Sequence, residues 1–120
     1  MKKRVKKIVK NWILEINKEE TLSKDITALN FGLFEPYGIE LTGSKIYTPE
    51  DDDWACEEDF EPAERTCPEL NIPEDMDWED VLEMIVDILK ELILELKDLE
   101  ILQVPHITTG FCDGELIIIK

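Results

Sequence analysis

His106 and Cys112 lie six residues apart and form the nearest imidazole–thiol pairing in this sequence. A Cys–His dyad would activate a nucleophile only if the two groups came within hydrogen-bond reach. Along one extended strand, six residues span roughly 20 Å at ~3.3 Å per residue. The dyad fails on distance unless the chain bends between them, and His106 reads as a structural or surface histidine. The three cysteines, Cys56, Cys67 and Cys112, contain no Cys-x-x-Cys pair, and with one histidine they do not complete a Cys/His zinc site of the usual spacing. Three thiols in a reducing cytosol is the first expectation, and a Cys56–Cys67 disulfide clamping the intervening loop is the competing one. No Gly-rich phosphate loop, Gly-x-Ser-x-Gly elbow or His-Glu-x-x-His helix occurs. Carboxylates are so abundant that no acid/base pair stands out, and the chain is expected not to be an enzyme and to carry no cofactor.

Asp51–Asp53 and Glu57–Asp59 offer hard oxygen ligands, so calcium is the metal to test. An EF-hand loop beginning at Asp51 would place Ala55 at its fifth position, Cys56 where glycine is required and Pro62 where the bidentate glutamate belongs. Beginning at Asp53, the third position is Ala55. Neither frame works. No metal site is assigned, although a divalent-cation-binding protein of another design stays among the alternatives.

What the carboxylates can do is recognise something. Eight of the twelve residues from Glu50 to Glu61 are acidic and none is basic. Asp51, Asp52, Asp53, Glu57, Glu58 and Asp59 would steer a basic protein toward the loop and raise its association rate. Trp54 and Phe60 among them are the residue type that anchors interfaces. These eight residues are the candidate partner-binding set. Two arrangements are open for the aromatics: they insert into a partner, or they staple the loop to the core while the acids stay solvated.

The elements that must position this set follow from charge and periodicity. The chain has 120 residues and a formal charge of −16. Residues 1–20 carry +4 and residues 48–100 carry −18. This balance argues against nucleic acid and against anionic membrane surfaces as partners. Val5, Ile8, Val9, Trp12, Ile13 and Ile16 form one stripe of a helix whose other side is basic. Ile26–Phe34 and Ile39–Tyr47, joined by the turn Glu35-Pro-Tyr-Gly38, read as a β-hairpin. In its second arm Ile39 and Leu41 should face inward while Glu40, Thr42 and Ser44 face water. Thr48–Pro73 has no period and four prolines. Connections this long are uncommon in compact domains unless disordered or functional, and this one is read as an ordered acidic excursion because Trp54, Phe60 and Leu70 give it apolar anchors.

Trp78, Val81, Leu82, Ile85, Val86, Leu89, Leu92, Ile93 and Leu96 restore helical spacing, with Asp77 as N-cap and Asp80 three residues on. Glu83, Asp87, Glu91 and Glu95 on the opposite face are like charges at i,i+4, which weaken a helix. Either something favours a negative face there, or the basic first helix lies against it. Asp113-Gly114 between two strand-like runs signals a final hairpin, whose Leu116–Ile119 run suggests a buried, even central, strand. The expected fold is α+β, a single domain over residues 1–120. Two helices pack on one face of a mainly antiparallel sheet of about four strands, in the order α-β-β-loop-α-β-β, with the acidic loop at 48–73. Lys10, Asn11, Glu15 and Asn17 interrupt the apolar run that a signal peptide would need, so the expected compartment is the cytoplasm.

Tyr37-Gly-Ile-Glu-Leu-Thr-Gly-Ser-Lys-Ile-Tyr47, running into Glu50-Asp-Asp-Asp-Trp-Ala-Cys-Glu-Glu-Asp-Phe60, resembles a segment of small acidic bacterial immunity proteins of polymorphic and contact-dependent toxin systems. The resemblance covers about a fifth of the chain and includes no catalytic signature. It implies a small cytoplasmic protein that binds and blocks one cognate basic toxin, often a nuclease, whose phosphate-holding cleft an acidic surface can occupy. It transfers no inhibitory residue by position. The competing expectation is a structural or oligomerising module, a homodimer joined through the acidic helix face or the last strand.

Overall fold

The computed structural model describes residues 1–51, 53–111 and 114–120. Its first helix, α1, spans Lys2–Glu19 and buries Val5, Val9, Trp12, Ile13 and Ile16, the stripe that the 3.6-residue period picks out. The hairpin follows as β1, Ala28–Phe34, and β2, Gly38–Ser44, antiparallel with Phe31 opposite Leu41. The long connection contains a 3-10 turn over Asp53–Cys56. Helix α2 spans Trp78–Glu95 and is capped by Asp77, whose Oδ1 accepts from the Glu79 N–H at 2.9 Å. A second 3-10 turn, Glu100–Gln103, leads into β3, His106–Phe111, and the short β4, Ile117–Ile118.

The strands lie in the order β2-β1-β3-β4. The two outer pairings are antiparallel and the central one, β1 with β3, is parallel. The fold is therefore α+β with two helices on one face of a mixed sheet. A parallel pair needs a long crossover, which the connection and α2 supply between the two hairpins. On the helix side, alternate residues Leu29, Phe31 and Leu33 of β1, Ile39 and Leu41 of β2, and Ile107 and Phe111 of β3 join the buried faces of α1 and α2 in one cluster. Each fully buried side chain of this size contributes roughly 1.5–3 kcal/mol relative to exposure. Ile88, outside the stripe traced in the sequence, is also buried in this core.

Three expectations are corrected. The Leu116–Ile119 run is not a central strand: β4 lies at the sheet edge and Ile118 is 58% exposed. Gly110 lets the chain return this closely, since a Cβ there would meet the Glu115 carbonyl oxygen at 2.7 Å. The second correction concerns the outer face of β2, where Thr42 and Ser44 are buried rather than water-facing. The acidic connection folds back across that face. Trp78 is the third, because it starts α2 but stands 51% exposed instead of entering the core. The Asp113-Gly114 turn itself falls partly outside the described residues, although β3 and β4 pair around it with Thr108 opposite Ile118.

Candidate partner-binding surface

The acidic connection is tied down residue by residue along β2. Phe60 and Gly43 exchange both backbone hydrogen bonds, at 3.0 and 2.9 Å. The Leu41 N–H donates to the Arg65 carbonyl and the Cys67 N–H to that of Ile39, each at 2.9 Å. The outer edge of β2 is thereby covered, which removes the exposed template such an edge would present. Phe60, half-buried, packs against the main core.

Trp54 is 4% exposed and lies outside the helix-side cluster. Its ring sits 5.1 Å from that of Tyr47, and Tyr47 stacks on His106 at 3.8 Å with the planes 9° apart. These three rings form a small second core on the outer face of the sheet. Of the two arrangements open for the aromatics, the structure places both Trp54 and Phe60 inside the chain's own packing. The single histidine likewise belongs to this stack, and Tyr47 is the member that sequence reasoning missed.

The acids divide into two groups. Glu58 is held by Arg65 in a bidentate pair of 2.8 and 3.0 Å, and Arg65 also reaches Glu40 and Glu61, each at 3.3 Å. Donating to Glu58 first and to Glu40 next raises the already high pKa of the guanidinium further. Arg65 is the one basic residue between Thr48 and Pro73. That isolation was the signal available for an internal clamp. Asp59 accepts from the Lys45 N–H at 2.8 Å and closes the end of β2. In contrast, Asp51, Asp53 and Glu57 are exposed and make no ion pair among the described residues. Asp51 Oδ1 accepts from the Asp53 N–H at 3.0 Å, which orders the turn locally. Asp52, the remaining member of the set, lies outside the described residues.

The result is a short anionic rim around Asp51, Asp53 and Glu57, fixed from beneath by Trp54 and from the side by the Phe60 and Arg65 contacts. Cys56 is exposed in this rim and Cys67 is buried, both as free thiols. Burial pushes the Cys67 thiol up to about 12, so at neutral pH it is fully protonated and a poor nucleophile. Cys112 lies outside the described residues. Among the described residues, no three His, Cys, Asp or Glu side chains converge so as to hold a metal ion, and no helix is long and apolar enough to cross a membrane.

A second acidic region, on α2, is only partly neutralised from within. Glu91 pairs with Lys2 at 2.6 Å and Lys6 at 3.0 Å, and Glu95 pairs with Lys6 and Lys10. Lys2 and Lys6 hold the Glu91 carboxyl below its ordinary value, and Lys6 does the same for Glu95. Earlier in the helix, Glu79, Asp80, Glu83 and Asp87 make no ion pair among the described residues. The chain matches no protein-family model, no curated protein and no solved structure.

Proposed function

We propose that this chain is a non-enzymatic binding protein of the bacterial cytoplasm, an immunity protein that neutralises a cognate basic toxin through an acidic surface. A nuclease fits best as the target, because its cleft must already be basic to hold phosphates. The observation that carries the reading is the anionic rim itself. Asp51, Asp53 and Glu57 are exposed, while the segment bearing them is fastened by the buried Trp54 and by backbone pairing to β2. A pre-ordered charged surface loses less entropy on binding than a floppy acidic tail would. Glu58 and Asp59 support this surface by holding its shape, and Trp54 acts as the staple beneath it rather than as an inserted anchor.

Co-expression with the basic product of the adjacent gene tests the proposal. Protection should be lost in the triple variant Asp51→Asn, Asp53→Asn, Glu57→Gln, with the fold intact by circular dichroism. Protection that survives all three substitutions overturns the assigned surface. Capture of the same partner from native lysate should weaken sharply between low and high salt, as a charge-steered complex requires.

A further inference from the structure

The two edges of the sheet are treated differently. The outer edge of β2 is paired with the Phe60–Cys67 segment. The outer edge of β4 has no strand beside it among the described residues. Next to that open edge, Trp78, Leu82 and Val86 of α2 and Ile117 of β4 line a groove of about 400 Å³. The buried residues of α2 are Val81, Ile85, Ile88, Leu89 and Leu92; Leu82 packs against that core from its margin, and Trp78 and Val86 lie outside it. Trp78 is braced edge-to-face by Phe111, with ring centres 6.1 Å apart, yet half its surface remains open.

Glu79, Glu83 and Asp87 border the same groove. They recur every four residues, a rise of about 6 Å per step along the helix. Such a like-charge row costs the isolated helix stability. Lys2, Lys6 and Lys10 of α1 compensate the acids at the other end of α2, and among the described residues no ion pair engages these. In an extended peptide, side chains on one face recur every about 6.6 Å. The two spacings match.

From this juxtaposition we infer that the α2–β4 groove is a docking site for an extended cationic segment of a partner protein, added as a fifth strand beside β4. Its backbone pairs with the open edge of β4. Lys or Arg side chains at alternate positions lay their aliphatic stems over Leu82 and Val86 and carry their charged heads to Glu79, Glu83 and Asp87. One of them stacks on the open face of Trp78. A second copy of this chain is the wrong occupant by charge, since each copy carries −16 and two acidic rows would meet across the joint. The groove lies on the α2 side of β4 at Ile117, whereas Asp51 of the rim lies beside Leu116 and Ile118, so the two surfaces adjoin at β4 but use different acids.

The probe is a synthetic hexapeptide, acetyl-Lys-Val-Lys-Val-Lys-Val-amide, titrated into the isotope-labelled full-length chain by NMR. Saturable shifts should fall in residues 78–87 and 116–119. Affinity should drop about tenfold or more for the triple variant Glu79→Gln, Glu83→Gln, Asp87→Gln, and similarly when the backbone nitrogens on one edge of the peptide are methylated. The rim variant Asp51→Asn, Asp53→Asn, Glu57→Gln should bind the peptide within about twofold of the parent. Absence of saturable binding, equal binding by the methylated peptide, equal loss in the rim variant, or a dimer through β4 seen by light scattering without peptide would each overturn the inference. Protection by the rim in co-expression is read independently, so either surface can fail without the other.

Discussion

Replacing Trp54 with Ala should cost about 3 kcal/mol of stability, because a buried indole leaves a cavity that its neighbours fill poorly. Trp54 is 4% exposed against Tyr47, so urea unfolding should show the loss without any partner present. An unchanged midpoint would mean that the indole is not packed in solution. The two described thiols make a second prediction at this scale. Cys56 is exposed, whereas burial pushes Cys67 up to about 12. Iodoacetamide at pH 8 should therefore label Cys56 in the folded protein and Cys67 only after unfolding, as read by peptide mapping. That Trp54 and Phe60 would be important was legible from their isolation among acids. Which way they point was not, because Trp54 packs on Tyr47, itself stacked on the distant His106, and Phe60 is set by its pairing with Gly43 and by the main core.

At the scale of elements, both helices follow from local rules. The period of α1 and the cap of α2 at Asp77 are visible in the sequence because they depend on neighbours within four residues. Asp77→Ala should destabilise the protein by about 1 kcal/mol and Asp77→Asn by much less, since asparagine still accepts the Glu79 N–H. The seam between the helices should carry a pH signature. Lys2 and Lys6 lower Glu91, and Lys6 lowers Glu95, below ordinary carboxylate values, while those carboxylates raise Lys6 above its own. A depressed carboxylate stabilises the fold above its unfolded pKa, about 4.3, and loses that contribution as pH falls through the folded value. A raised lysine stabilises below its unfolded pKa, about 10.4, and loses it as pH rises through the folded value. The stability difference between the parent and Lys6→Met should thus be level through neutral pH and close at both extremes. A difference indifferent to acid would show that the seam contributes by packing alone.

For the whole molecule, the governing quantity is 29 acidic against 13 basic side chains within a radius of gyration of 13.3 Å. Among the described residues, ion pairs engage Glu40, Glu58, Glu61, Glu91 and Glu95, and the excess of negative charge repels itself. Glu19 shows this locally, held above its ordinary value chiefly by Glu64. Raising sodium chloride from about 20 to 500 mM shortens the screening length from roughly 20 Å to about 4 Å. The melting temperature should rise over that range, because net repulsion outweighs the exposed pairs that salt also weakens. A falling melting temperature would reverse that ranking. The same salt should weaken capture of a basic partner, so stability and binding move in opposite directions.

Periods of 3.6 and 2, the cap and the Asp-Gly signal are properties of short stretches, and they were enough to place two helices, two hairpins and the α+β class. The fate of the charges was not available at that level. Whether Glu58 faces a partner or Arg65, whether Glu95 faces solvent or Lys6, and whether Thr42 is wet or roofed by a loop depend on contacts between segments far apart in the chain. Parallel pairing of β1 with β3, and with it the placement of β4 at an open edge, depends equally on how the two hairpins come together. Local stereochemistry selects the elements, whereas the division of carboxylates into those answered within the chain and those left outward is settled only when distant segments compete for the same surface.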